Sequence, residues 1–197
     1  MPPLPPPEPS RHLETLASLD ARKIRFEVNR IELPMGVQGE FGIIRHPGAS
    51  LAVPLLDDGR VVLLRQYRFA VQTRILEFPA GTLDDGEDPL STMERELQEE
   101  AGYRAERWDP LGVMLPCLGY SDEVIHLFLA RELSPLEKPP AGDDDEDLEV
   151  LLLEPAALDA ALASGDEYLD GKSLRSEEHT SELQSHSDLV CRLLLEK

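Results

Sequence analysis

Glu96, Glu99 and Glu100 are the residues of this 197-residue chain whose type and spacing point most directly to chemistry. Each residue of an α-helix turns the chain by about 100°, so positions i, i+3 and i+4 share one edge. Three carboxylates would project from that edge, and like charges at this spacing repel by roughly a few tenths of a kcal/mol per pair. A hard divalent cation removes the repulsion, and an all-oxygen donor set favours Mg²⁺ or Mn²⁺ over zinc. Such a cation bridges phosphates and activates water. Arg95 is the cation of the same stretch; it can reach Glu99 one turn on or fold back to Glu87 in the preceding loop. Most charge runs are solvated faces. Here, however, Gly81, Gly86 and Glu87 precede the carboxylates at fixed spacing, and Gly102 follows them.

A helix must carry these groups. Asp88-Pro89 opens it, because Asp caps well and Pro at the first helical position lacks only an N–H that would be unpaired anyway. Leu90, Met93, Leu97 and Ala101 form its apolar face, and Gly102 is placed to stop it. Around it the pattern is mostly strand. Ile24, Phe26 and Val28 alternate with polar residues, and a second strand is expected over 40–46. Residues 51–56 and 61–67 flank Asp57-Asp58-Gly59, which predicts a hairpin. Further strands are expected at 75–78, 111–115, 123–130 and 148–153. A short helix is expected at 155–163, and another begins near Asp170-Gly171-Lys172-Ser173. No repeat is visible. These elements predict one mixed α/β domain.

Composition narrows the partners. Lys and Arg total 19 against 39 Asp and Glu, a formal charge of -20. A surface this acidic repels phosphate backbones, so nucleic acid is not expected as a partner. Eight of the acids lie between positions 84 and 100 and six between 143 and 149, so the imbalance is largely two clusters. No apolar run is long enough to span a membrane, and the proline-rich first ten residues do not read as a signal peptide. The two cysteines, Cys117 and Cys191, form no disulfide framework, which fits a reducing cytoplasm. His12, His46 and His126 form no zinc-type cluster with them.

The carboxylate segment resembles the box of the Nudix hydrolases. That box is Gly, five residues, Glu, seven residues, Arg-Glu, an aliphatic, any residue, Glu-Glu, any residue, Gly, an aliphatic. Gly81, Glu87, Arg95, Glu96, Leu97, Glu99, Glu100 and Gly102 all match, while Tyr103 is aromatic where an aliphatic is usual. Seven fixed identities match by chance with a probability on the order of 10⁻⁸. The resemblance implies the Nudix fold, a mixed β-sheet sandwiched between helices, with an N-terminal antiparallel β extension. It also implies Glu96 and Glu100 as metal ligands, Glu99 on a second metal, and the Ala80 carbonyl completing the first site. Glu99 and Arg95 would belong to the catalytic set, and Mg²⁺ would be the cofactor, with Mn²⁺ as its substitute.

Outside the box, Arg65-Gln66-Tyr67-Arg68, 76–81, Gly119-Tyr120-Ser121-Asp122-Glu123, the acidic loop with its following strand and Asp170-Gly171-Lys172 resemble the ADP-ribose pyrophosphatase group. The group's close relatives cleave other nucleoside diphosphate sugars or NADH. By this resemblance Arg68 would contact a phosphate or the terminal ribose, and Glu77 adenine or a ribose hydroxyl. Glu123 would be a substrate ligand or a base. An acidic-loop carboxylate would be the base that activates water; Glu146 is the choice and Asp144 the runner-up. The partner implied is a small nucleoside diphosphate sugar, and the N-terminal strands imply a homodimer. The segments expected are a flexible proline-rich tail and lead-in at 1–21, a dimerising β extension at 22–46 and the hydrolase domain at 47–174. Residues 175–185, RSEEHTSELQS, are similar to the in-frame translation of a common sequencing adapter, so 175–197 are read as a non-native tail.

Overall fold

The structure is a computed structural model, and it describes residues 8–140 and 147–173. The proline-rich tail through Pro7 and the adapter-like tail lie outside the described residues.

Three strands come first: β1 (Arg11–Ala21), β2 (Ile24–Glu32) and β3 (Gln38–Arg45), forming an antiparallel sheet in that order. β1 corrects the expectation of an unstructured lead-in through residue 21. Its ladder with β2 shifts register between His12 and Glu14 and again between Thr15 and Ala17. Those irregularities break the period of two by which a strand is recognised. The sheet is tied to the rest of the chain. Ile44 N–H donates to the Tyr120 carbonyl at 2.7 Å, and Asp122 N–H returns to the Ile44 carbonyl at 3.2 Å. Arg45 pairs with Asp122 at 2.9 Å, and Lys23 reaches Asp84 at 2.9 Å.

The remaining elements are β4 (Ala49–Pro54), β5 (Val61–Arg68), β6 (Thr73–Glu77), β7 (Ala80–Thr82), α1 (Pro89–Ala101), β8 (Tyr103–Met114), β9 (Ile125–Pro135), β10 (Leu148–Leu153) and α2 (Pro155–Ser164). They build a four-stranded mixed sheet, β7-β4-β9-β8, and a three-stranded antiparallel sheet, β10-β5-β6. The hairpin expected across Asp57-Asp58-Gly59 is corrected. The turn forms, with Leu56 N–H on the Arg60 carbonyl at 2.9 Å, but only Leu55 and Val61 pair across it. Every residue of β4 is buried, and β4 pairs with β7 and, in parallel, with β9. A strand buried on both faces belongs inside a sheet, so the chain leaves the turn into a different sheet. β8 begins at Tyr103, eight residues before the strand expected there. Pro110 interrupted the pattern, and a register shift between Pro110 and Gly112 accommodates it.

Side-chain alternation divides the core in two. Leu51, Val53, Val61 and Leu63 pack with Leu158 of α2; Ala52, Val62 and Leu64 pack with Met93, Leu97 and Ala101 of α1. The strands therefore lie between the two helices, as expected. α1 has the expected bounds. Asp88 accepts from Leu90 N–H at 3.1 Å and Ser91 N–H at 3.3 Å, and Pro89 holds the first position. Gly102 stops the helix at φ 70°, where its N–H donates to the Gln98 carbonyl. Replacing Asp88 with Ala removes both capping bonds and should lower stability by about 1 kcal/mol without unfolding the chain. Urea denaturation measures this, and an unchanged midpoint would show that the Asp88 cap is dispensable.

Candidate active site

The site grows from one edge of α1. Glu96 and Glu100 are only 9% and 5% exposed. Ionised carboxylates at such depth require cations or hydrogen-bond donors. Arg95 supplies one cation to several acids. Its Nη1 donates to Glu96 Oε1 and Glu99 Oε2, both at 2.9 Å, while Nε and Nη2 reach Glu87 at 3.4 Å. The two reaches read as alternatives in the sequence thus coexist. Burial disfavours the Arg95 cation most, but its hydrogen bond to Glu87, the charge of Glu96 and its bond to Glu99 outweigh it and raise its pKa. The hydrogen bond from Arg95 holds the Glu87 carboxyl below the ordinary glutamate range. Glu87 also accepts from Asp84 N–H at 3.1 Å, so the loop before α1 is fastened to the helix through Arg95.

β7 supplies the facing wall. Ala80 N–H donates to Glu100 Oε2 at 3.0 Å. Gly81 lies so close to Glu96 that a Cβ built there would overlap its Oε1, Cδ and Cγ. The box glycine is therefore a steric requirement of Glu96. Among the described residues no three His, Cys, Asp or Glu side chains converge as a metal cage. Glu96 and Glu99 turn to Arg95, and Glu100 turns to the Ala80 N–H. The donor chemistry nevertheless fits a hard divalent cation: the acids here are oxygen donors, and two of them are buried.

The other expected residues fall in three places. Arg68 and Glu77 meet: Arg68 Nε donates to Glu77 Oε1 at 2.5 Å and Nη2 to Oε2 at 2.6 Å. Glu77 is 2% exposed, and Lys172 also donates to its Oε2. It is thus a buried hub of charge. Burial opposes its ionisation most strongly, but the Arg68 hydrogen bond and the Lys172 and Arg68 charges prevail, and its pKa is lowered. The Arg68 cation is stabilised first by that hydrogen bond, against desolvation, with Glu100 among the weaker contributors. The Arg68 charge is therefore coupled, weakly, to the Glu100 carboxylate of α1. Glu123 stands apart from this pair, its Oε1 3.8 Å from His46 Nε2. Glu146 and Asp144 lie outside the described residues, but Asp147 at the near end of their loop is held by Arg74 and by Tyr67 N–H on its carbonyl at 3.1 Å. Lys172 and Asp170 received no role from their sequence positions beyond a helix start; Lys172 pairs with Asp170 two residues away, but its other partner, Glu77, lies 95 residues away along the chain.

The Gly81 contact makes a direct prediction. Gly81→Ala should fold but weaken divalent-cation binding about tenfold, because the added methyl displaces Glu96. A Mn²⁺ titration of the two proteins measures it, and equal affinities would show that the Glu96 position does not matter to the cation.

Comparison with known proteins places the chain in a family. A family model of the NUDIX domain matches residues 45–170. The chain is 40% identical over 124 residues to the ADP-ribose pyrophosphatase of Bacillus subtilis (strain 168), covering 63% of this chain and 67% of that protein. It is 37% identical over 150 residues to the methanol dehydrogenase activator of Bacillus methanolicus, covering 76% and 80%. A crystal structure of an ADP compounds hydrolase has the same fold, with a TM-score of 0.79 at 22% identity over 92% of this chain and 97% of that one. With its box on α1 and the family domain spanning both sheets of the core, the chain belongs to the Nudix family.

Proposed function

We propose that this chain is a Mg²⁺-dependent hydrolase that cleaves the pyrophosphate bond of ADP-ribose to AMP and ribose 5-phosphate. The observation that carries this reading is the pair of buried carboxylates, Glu96 and Glu100, set against β7 on an edge where Arg95 is shared among Glu87, Glu96 and Glu99. Similarity to an ADP-ribose pyrophosphatase supports the substrate.

In this reading Glu96 and Glu100, with the Ala80 carbonyl, would hold the first cation, and Glu99 a second; Mn²⁺ would substitute. When bound, the cations neutralise the two phosphates and lower the pKa of the attacking water. Arg68 grips a phosphate with the guanidinium that Glu77 presents. Glu77 itself, with both oxygens engaged, acts by holding Arg68 and not by reading adenine. Glu123 is left as a substrate contact beside His46. Glu146 takes the proton from water as oxygen adds to phosphorus and the bridging P–O bond breaks. Arg95 orients Glu96 and Glu99 and fastens the box loop through Glu87.

The assembly proposed is a homodimer working in the cytoplasm. Leu19 and Phe26, paired across β1 and β2, and Ile24 on the same face are exposed apolar groups that a second copy would cover. Cys117 is a free thiol, and among the described residues no helix is long and apolar enough to cross a membrane. Phe26→Asp should convert the dimer to monomer in light scattering after size exclusion; an unchanged mass would exclude this face as the interface.

A second reading, an activator that works on a partner protein, has support in the methanol dehydrogenase activator relative. A pure binder has no use for the repelling carboxylates, so the hydrolase reading is preferred. Glu100→Gln should lower kcat for ADP-ribose by about 10²-fold or more with little change in fold. Turnover like wild type in that variant would exclude the mechanism. A panel of ADP-ribose, other nucleoside diphosphate sugars and NADH, read by phosphate release after phosphatase treatment, should rank ADP-ribose first; a higher kcat/KM for another member would reassign the substrate.

A further inference from the structure

The segment from Tyr168 to Ser173 runs along β6, the edge strand of its sheet. Leu76 N–H donates to the Tyr168 carbonyl at 2.8 Å, and Asp170 N–H donates to the Leu76 carbonyl at 3.1 Å. Leu169 makes a parallel bridge with Leu76. Beyond it the backbone turns helical: Asp170 Oδ1 accepts from Ser173 N–H at 3.1 Å, and Ser173 Oγ accepts from Phe78 N–H at 2.8 Å. These bonds fasten the segment to the strand that leads into Ala80 and Gly81. None of them needs the Lys172 side chain.

Lys172 instead points its ammonium at two acids, Glu77 Oε2 and Asp170 Oδ2, the latter at 2.5 Å. Glu77 is the carboxylate that forks to Arg68 through Nε and Nη2. Arg68 Nη1 takes no part in the fork, and 41% of the Arg68 side chain is exposed. The three side chains form a relay from the C-terminal segment, through a buried acid, to the Arg68 guanidinium, whose charge also feels Glu100. A shared carboxylate held by two cations has one orientation; held by Arg68 alone, it can rotate and take the guanidinium with it.

We propose that Lys172 is a positioning residue of the active site: anchored by Asp170, it fixes the Glu77 carboxylate, and Glu77 sets the Arg68 guanidinium for a phosphate of the substrate. This rests on the reading of Arg68 as a phosphate contact. Lys172 touches no substrate in this arrangement and acts only through Arg68. Its loss should therefore weaken substrate binding and leave the water-activating carboxylates intact.

A double-mutant cycle on the full chain tests this, with ADP-ribose as substrate and thermal melting as the check on folding. Lys172→Met should raise KM about tenfold with kcat within about twofold of wild type, and Lys172→Arg should recover most of the loss. Arg68→Met should raise KM further, and adding Lys172→Met to it should change nothing more. KM effects that multiply in the double variant would overturn the relay. So would Lys172→Met with a wild-type KM while Arg68→Met is impaired. A wild-type KM in Arg68→Met would instead overturn the phosphate contact on which the relay rests. If Lys172→Met melts below the assay temperature, Lys172→Gln, a shorter side chain that ends in an uncharged amide, is read in its place by the same criteria.

Discussion

Repulsion among the carboxylates of α1 is the constraint around which this fold is organised. Glu96, Glu99 and Glu100 share a helical edge, and two of them are buried. Such a cluster cannot stay ionised without positive charge beside it. Arg95 meets the need in part by dividing its guanidinium among Glu87, Glu96 and Glu99. That division also pins the loop between β7 and α1, because Glu87 holds the Asp84 N–H. The contact of Gly81 with Glu96 and the bond from Ala80 to Glu100 follow from the same closeness of strand and helix. The acids of this edge are oxygen donors, two of them buried, and that is the donor chemistry a hard divalent cation prefers.

A second buried acid repeats the logic with a different outcome. Glu77 also sits where an ionised carboxylate would be unstable alone, but Arg68 and Lys172 both serve it. Charge there is balanced within the protein, so the arrangement suits alignment more than cation binding. The two hubs lie at opposite ends of one short stretch, Glu77 to Gly81, which passes from β6 to β7. In the proposed mechanism, substrate grip and metal binding would share this single piece of backbone.

Much of the site was legible because its determinants are local. The Asp88-Pro89 start, the Gly102 stop and the i, i+3, i+4 spacing of the glutamates act within one helix, and the helix has the bounds they imply. Strand β2 was legible for the same reason: Ile24, Phe26 and Val28 keep an unbroken alternation. β1 was not, since its register shifts twice against β2. The partners of β4 and β5 could not be read from the turn between them, because burial of β4 on both faces is a tertiary fact. The pairing of Glu77 could not be read from the sequence, because the Lys172 that helps neutralise it is 95 residues away. The Arg95 bonds, by contrast, span at most eight residues, and both of the expected ones are present.

The central claim is that the α1 edge is a divalent-cation site, and crystals soaked in Mn²⁺ test it most directly. The account predicts an anomalous difference peak bounded by the Glu96 and Glu100 carboxylates and the Ala80 carbonyl, with Glu96 turned away from Arg95. Soaked crystals in which Arg95 still holds Glu96 and no peak stands at that edge, or in which Mn²⁺ sits elsewhere, would contradict it.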